Sequence, residues 1–316
     1  MQTKEECIMY SFIVNPNAKS GLGQIVWNDL ELLLKKSSVE YEVFFTKYQK
    51  HATEIVRKIT SDGNEHTVVA LGGDGTVNEV VNGIVNFEKT ILGYIPIGSS
   101  NDFARGLQLP TDAISALKNI LKCPHLLPMD IGEIRYKNKI RRFAVSSGIG
   151  FDADICHEAV VSRVKKFLNK LKLGKLTYVL IALHRLFLTK PCTVTLTYNQ
   201  DKTETFKNAY FVAMMNSRYE GGGVMFCPKA KNYDEELDLL IVSDVSKLKV
   251  LMLIPFALFG WHVHFRGANL RTCKCVDIHA ENALPVHTDG EPIFLQHDLS
   301  ARLLPEKLRV ITSKKF

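Results

Sequence analysis

Short apolar, β-prone runs alternate with stretches of helical periodicity from Ile8 to about Asp130. The runs Ile8–Val14, Tyr41–Thr46, Thr67–Leu71 and Ile91–Pro96 predict strands. Apolar spacing over Ile25–Lys36, Ala52–Ile59 and Val77–Val85 predicts helices, and glycine-rich or asparagine-rich turns join the elements. This grammar predicts four βα units and a parallel α/β sheet. Beyond Asp130 the strands come with fewer helices: Gly132–Tyr136, Arg142–Ser146, Thr193–Tyr198, Asn208–Met215, Leu237–Val242, Cys273–His279 and Pro285–Leu295. They predict a mainly antiparallel β domain, interrupted by one long helical region from about Cys156 to Leu188. The expected division is 1–131 and 132–302, with 303–316 returning to the first domain through the run Leu308–Thr312.

Composition narrows the class without naming it. A length of 316 residues suits two domains at roughly 150 each, and 46% hydrophobic with 23% charged residues excludes a disordered, collagen-like or disulfide-scaffold chain. Seven cysteines without a Cys-x-x-Cys pair suit a reduced, cytoplasmic setting. The opening residues Met1–Cys7 include two acids and do not read as a signal peptide. The apolar stretches Leu176–Leu188 and Val250–Trp261 are too short to span a bilayer, and they contain His184, Arg185 and Pro255. The net charge of +7 is localised: between Glu158 and Asp201 there is no acid, whereas Arg163, Lys165, Lys166, Lys170, Lys172, Lys175, Arg185 and Lys190 fall there. Val161, Val164, Phe167, Leu168 and Leu171 recur among them at helical spacing, which describes a basic amphipathic helix suited to an anionic membrane surface. A solvated face whose apolar stripe packs on its own domain is the alternative. Nucleic acid is not expected, because the run has no aromatic stacking pattern and no helix-turn-helix or zinc-finger spacing.

Three loops carry the candidate chemistry. The first, Asn15–Gly23, leads from a strand into a helix, where free backbone N–H groups and small residues favour phosphate; many α/β turns look the same, and it is not a Walker A loop. The second, Gly72-Gly73-Asp74-Gly75-Thr76-Val77-Asn78-Glu79, places one carboxylate among three glycines, where it can orient a metal-bound water beside polyphosphate. The third, Pro96–Leu107, repeats the design with Ser99, Asn101, Asp102 and Arg105. All three converge on the carboxyl edge of the expected sheet, where open α/β folds bind ligands.

These residues resemble the catalytic domain of diacylglycerol kinases, especially the soluble bacterial lipid kinases, with sphingosine and ceramide kinases as relatives. Seven segments carry the resemblance in order: Asn15–Gly21, Gly72–Thr76, Pro96–Arg105, Asp130–Gly132, Gly148–Asp152, Gly221–Gly223 and Asp289–Glu291. The resemblance implies ATP across the three loops, near Asn15, Thr46, Gly73–Glu79 and Ser99, with Asn101, Asp102 and Arg105 in the same site. It implies a water network around Mg²⁺ at Asp74, Asp102 and Asp130, and an N-terminal fold like that of NAD kinases and phosphofructokinases. It also implies a C-terminal β-sandwich with a structural Mg²⁺ site at Lys231, Asp234 and Glu236. Here the chain departs from the family: Asp234-Glu235-Glu236-Leu237-Asp238 lacks the usual Asp-Gly turn, and Ser99-Ser100 replaces Thr-Gly. Glu291 is implied as the general base; read from the residues alone, Asp289-Gly290 is a two-residue hairpin turn, and a hairpin tip is a rigid mount for such a group.

The resemblance therefore implies an ATP- and Mg²⁺-dependent lipid kinase with nucleotide in the cleft between its domains, peripheral on the inner face of the membrane, and a homodimer as one option. Diacylglycerol is the first expected acceptor and phosphatidic acid the product; phosphatidylglycerol, a sphingoid lipid or NAD are the alternatives, as is a regulator without turnover. Gly148-Ile149-Gly150-Phe151-Asp152-Ala153 also fits a dinucleotide fingerprint, but no acid follows from Ala159 to Gln200 to hold a ribose. The pairs His262/His264 and Cys273/Cys275 are each expected on one face of a strand, without a third metal ligand nearby. No hydrolase elbow or metalloprotease helix is present.

Overall fold

The computed structural model describes residues 9–37, 39–161 and 174–316, with side chains described up to Glu158 and again from Ile181. The chain forms two compact units, residues 1–131 with 305–316, and 132–304.

Unit 1 contains β1 (Tyr10–Val14), α1 (Ala18–Lys36), β2 (Tyr41–Phe45), α2 (His51–Ile59), β3 (His66–Gly72), α3 (Asp74–Gly83), β4 (Thr90–Pro96), α4 (Asp102–Gly106), α5 (Ala113–Lys122), β5 (His125–Met129) and, from the C-terminus, β15 (Leu308–Thr312). Its sheet runs β2-β1-β3-β4-β15-β5, parallel throughout except for β5. Alternation decides what each strand buries. Phe12 and Val14 of β1 meet Trp27, Leu30 and Leu34 of α1 and Ile120 of α5 in one core cluster. The opposite face packs on α2 and α3, where Val56, Val77, Val80 and Val81 are buried. β2 and β3 flank β1 on opposite sides, so the connections diverge at the carboxyl ends of β1 and β3 and leave a crevice there. The helix α4 and the strand β5 escape the hydrophobic pattern because each has only five residues, whereas α5, capped by Asp112 and burying Ala116, Leu117 and Ile120 at helical spacing, is a helix the expected set of elements left out. β5 carries Pro128 and exposes Leu126.

Unit 2 contains β6 (Gly132–Tyr136), β7 (Lys139–Phe143), β8 (Ser146–Gly150), α6 (Phe151–Val161), α7 (Gly174–Leu188), β9 (Cys192–Tyr198), β10 (Lys202–Met215), β11 (Leu237–Ser243), α8 (Lys247–Ala257), a 3₁₀ turn (Trp261–His264), β12 (Ala268–Cys273), β13 (Cys275–Thr288) and β14 (Glu291–Leu303). It is an antiparallel β-sandwich. The 14-residue strands β10 and β13 each pair with β9 along their first halves and with β8 along their second halves. Both shift register between these halves, at Phe206/Ala209 and across His279–Val286, which lets one strand turn from one layer into the other. Val212, Leu239, Ile278, Val286 and Leu299 fill the space between the layers.

Several local expectations change. The expected strand Arg142–Ser146 is two strands, because Ala144 and Val145 leave the ladder and give their amides to Asp289. Within the run Pro285–Leu295 the hairpin turn read at Asp289-Gly290 is present, with φ of +48° and +79°, and it divides the run into two strands. His262 and His264 lie on a 3₁₀ turn, and Cys273 and Cys275 belong to different strands, so neither pair shares a strand face. The middle of the predicted basic helix, including Arg163 to Lys172, lies outside the described residues. Arg185, counted in that surplus, is neutralised by Asp154 at 2.5 Å and Glu158 at 3.8 Å. The dinucleotide reading of Gly148–Ala153 also loses its fold context, since β8 pairs antiparallel with both β10 and β13. Among the described residues no helix is long and apolar enough to cross a membrane.

Candidate active site

The carboxyl ends of β2, β1, β3 and β4 are tied edge to edge by backbone hydrogen bonds. Thr46 N–H reaches the Val14 carbonyl at 2.9 Å, Asn15 N–H the Leu71 carbonyl at 3.0 Å, and Ile97 N–H the Gly72 carbonyl at 2.9 Å. These bonds bring the three predicted loops to one crevice. Asn15 Nδ2 donates to Thr76 Oγ1 at 3.3 Å, joining the first loop to the second. Phe103 N–H donates to Asp74 Oδ1 at 3.1 Å, joining the second to the third.

Glycine is required at two of these junctions by contact. A Cβ on Gly98 would sit 2.6 Å from the Gly73 Cα, and one on Gly72 would sit 2.2 Å from Thr76 Oγ1. The second and third loops therefore touch backbone to backbone, which keeps Asp74 and Asp102 close together. Between them stands the buried Tyr94, whose hydroxyl donates to the Gly72 carbonyl or the Asn101 Oδ1, both at 3.2 Å. Burial pushes that phenol well above its ordinary range, and the Asp74 and Asp102 charges push it further. Arg105 lies 3.5 Å from the buried Asp102 carboxylate. The first loop holds Lys19, Ser20 and Gly21 in consecutive left-handed conformations, with φ of 47°, 62° and 96°. For Lys19 and Ser20 this costs roughly 1–2 kcal/mol each, a strain that concentrates at functional loops.

Not every expected ligand joins the crevice. Glu79 gives its two carboxylate oxygens to the amides of Lys50 and Ala52, at 2.8 and 3.2 Å, and so caps the first turn of α2. Asn78 is buried within α3, and Ser99 follows Gly98 in the third loop. Asp130 follows β5, whose Met129 pairs with Leu308, level with the start of β4. That is the sheet edge opposite Asp74 and Asp102, and there Asp130 is buried against Lys307 Nζ at 3.3 Å. The structure thus gathers Asp74 and Asp102, with Asn15, Thr76, Asn101 and Arg105, and sets Asp130 apart.

Unit 2 builds a second polar constellation around the hairpin of β13 and β14. The Asp289 carboxylate accepts amides from Ala144, Val145 and Ser146 at 3.0, 2.8 and 3.0 Å, fixing the tip that carries Glu291. Two residues back, the fully buried His287 places Nε2 3.2 Å from Asp152 and 3.0 Å from Glu220. Gly290 N–H donates to His287 Nδ1 at 3.1 Å, which puts the ring proton on Nε2, toward the carboxylates. Geometrically the three side chains are able to surround a metal. With its proton on Nε2, however, His287 is a donor there and not a ligand, so the hydrogen-bonded trio is the better description. Burial raises the Asp152 carboxyl against the opposing pull of His287. Glu220 has no sequence signal of its own; only the fold brings it to His287.

The third expected site also has a physical signature. Asp238 is pushed up to about 7 by burial and by the neighbouring charges of Asp234 and Glu236. Glu236 N–H donates to Asp234 Oδ1 at 3.3 Å, and the intervening Glu235 takes the left-handed conformation usual for glycine, with φ of 63°. The turn geometry therefore survives the loss of the Asp-Gly pair. Carboxylates are hard oxygen ligands, and Asp234 with Glu236 in this turn, and Asp74 with Asp102 in the crevice of unit 1, are the groups that would hold a hard divalent cation. We expect 5 mM Mg²⁺, on the order of many times a weak site's dissociation constant, to raise the thermal midpoint in a scanning calorimeter. Asp234→Ala should remove most of that rise, and an equal rise in the variant would exclude the site.

The comparisons with known proteins agree with this architecture. A family model described as the diacylglycerol kinase catalytic domain matches residues 9–134, and one described as the YegS C-terminal NAD kinase beta sandwich-like domain matches residues 148–312. YtlR of Bacillus subtilis, which carries the name of a lipid kinase, is 31% identical over 89% of this chain and 92% of its own. The diacylglycerol kinase of Staphylococcus saprophyticus is 26% identical over 88% of this chain and 87% of its own. Among solved structures, a diacylglycerol kinase from Bacillus anthracis superimposes with a TM-score of 0.77 at 26% identity, covering 98% of this chain and 99% of that one. An ATP complex of the Archaeoglobus fulgidus NAD kinase shares the fold, with a TM-score of 0.55 at 11% identity over 98% of this chain and 95% of that one. Two family models laid end to end, and a relative matched along nearly its whole length, make this chain a member of the diacylglycerol kinase catalytic-domain family.

Proposed function

We propose that this protein transfers the γ-phosphoryl group of ATP to a lipid hydroxyl, with diacylglycerol as acceptor and phosphatidic acid as product. The observation that carries the reading is the union of three βα loops around Asp74, in a member of this family. Phosphoryl transfer asks the protein for positioning and charge compensation more than for covalent chemistry. In this reading, the Gly73–Gly98 contact lets the backbone approach the phosphates, while Asn15, Thr76, Asn101 and Arg105 orient them. Mg²⁺, when bound, neutralises phosphate charge, and Asp74 and Asp102 would hold it. The Glu291 carboxylate accepts the proton of the acceptor hydroxyl as that oxygen bonds to the γ-phosphorus and the bond from that phosphorus to the bridging oxygen breaks, releasing ADP. The reading also makes the protein peripheral on the cytoplasmic side of a membrane, where its acceptor lies.

The test is Mg²⁺-dependent transfer of labelled γ-phosphate to diacylglycerol, monoacylglycerol, phosphatidylglycerol, sphingosine, ceramide and NAD, with Asp74→Ala as control. Asp74-dependent labelling of diacylglycerol is the expected result. Labelling of a different lipid would replace the acceptor and keep the class, and labelling of NAD alone would move the protein to the nucleotide kinases. ATP binding without any transfer would leave a regulator.

A further inference from the structure

The helix α8 is apolar on both faces. Val250, Leu253 and Ala257 are buried against unit 2, as the inward stripe of a surface helix should be. On the other side Leu248, Met252 and Phe256 recur every fourth residue at 67%, 60% and 36% exposure, where water would call for polar side chains. The exposed surface continues through Leu258, Phe259, Trp261 and Phe265. Phe259 and Trp261 stack with centroids 5.4 Å apart, and Phe256 and Phe265 at 5.1 Å, so these side chains form one patch. At the start of α8, Lys247 Nζ donates to the Phe187 carbonyl at 2.6 Å, bringing the exposed Phe187 and Leu188 of α7 to the same place.

Cations dominate the segment that carries this patch, although Arg271 is paired with Glu204 at 2.6 Å and Lys274 lies 4.0 Å from Glu235. From Val245 to Val276 the chain has no Asp or Glu, but it has Lys247, Lys249, Arg266, Arg271 and Lys274. The other acid-free stretch, Ala159–Gln200, includes α7 and Lys190, which follows α7 three residues beyond the Phe187 that Lys247 contacts. We propose that α8 and the turn after it form a membrane-docking face. Leu248, Met252, Phe259 and Trp261 enter the boundary between headgroups and acyl chains of an anionic bilayer, and Lys247, Lys249 and Arg266 meet the headgroups. Aromatic rings with a cationic rim are the composition favoured at that boundary. A second copy of the chain fits less well, because a two-fold contact would press one basic rim against another.

The surface stands on its own observations; its value to catalysis rests on the lipid-kinase reading. The chain offers a built-in probe, since it has two tryptophans and Trp27 is buried at 2% exposure, so Trp261 reports the patch. Vesicles of phosphatidylglycerol and phosphatidylcholine should shift Trp261 emission to the blue, protect it from acrylamide and sediment the protein, whereas pure phosphatidylcholine should do so weakly. Leu248→Ser with Phe259→Ser should weaken anionic-vesicle binding by about tenfold or more, the loss of roughly one well-buried aromatic contact, with an unchanged thermal midpoint. Sedimentation unaffected by the substitutions would overturn the proposal, as would an unshifted Trp261. A dimer in solution, dissociated by the same substitutions and shielding Trp261 without vesicles, would assign the face to a second copy. Vesicle binding without lipid phosphorylation would leave this surface standing and remove the kinase reading instead.

Discussion

Glu291→Gln is expected to lower kcat by roughly 10²- to 10⁴-fold, the usual worth of a positioned general base, while the KM for ATP stays within about twofold. Gln keeps the shape and hydrogen-bonding capacity of Glu but cannot accept a proton at neutral pH. The residue follows the hairpin turn directly, and its partner across the turn is the fully buried Thr288, so its backbone is fixed. Its charge is felt on α6. Burial pushes the Cys156 thiol up to about 12 against the pull of His287, and Glu220, Asp152 and Glu291 raise it further. The nucleotide loops belong to the other unit, hence the separation of kcat from the KM for ATP. Steady-state kinetics on the acceptor found in the transfer assay decides the matter, and an unchanged kcat would remove Glu291 from the role.

The second large effect is structural. Asp289→Ala should destabilise unit 2 by roughly 3–6 kcal/mol, from three stranded amides at about 1–3 kcal/mol each, partly regained through water, and about 1 kcal/mol for alanine at positive φ. The carboxylate of Asp289 accepts the Ala144 and Val145 amides, and those two residues lie outside the sheet ladder. Asp289→Asn tolerates the left-handed conformation and keeps one acceptor oxygen, so it should lose less than half as much. Denaturant unfolding of the three proteins gives the ranking. A cost below about 1 kcal/mol for Asp289→Ala would mean that the hairpin tip is held by its turn alone.

The loss should extend to activity, because the tip that Asp289 anchors also carries Glu291. His287, Asp152 and Glu220 secure the same hairpin from below through Gly290 N–H. One turn is therefore held by two polar clusters, which is expected where a side chain must keep its position against solvent and substrate.

The parallel sheet, the three loops and the Asp-Gly hairpin were all legible in the sequence, because each depends on neighbours along the chain. Short, nearly continuous apolar runs mark β1, β3 and β4, which are buried on both faces, glycine marks close backbone approaches such as Gly73 on Gly98, and Asp-Gly fits the positive φ values of a two-residue turn. The order of segments sufficed for the family. Partners distant in sequence were beyond reach. Nothing local sends Glu79 to the first turn of α2, sets Asp130 on Lys307 at the far edge of the sheet, or joins Glu220 to Asp152 and His287. A side chain with several bonding options is assigned by whichever partner packing delivers. Helix α8 shows the same limit for apolar residues: Leu248 and Leu253 look alike in a sequence hydrophobic all round, and only the tertiary structure decides which stripe the protein buries and which it leaves for another surface.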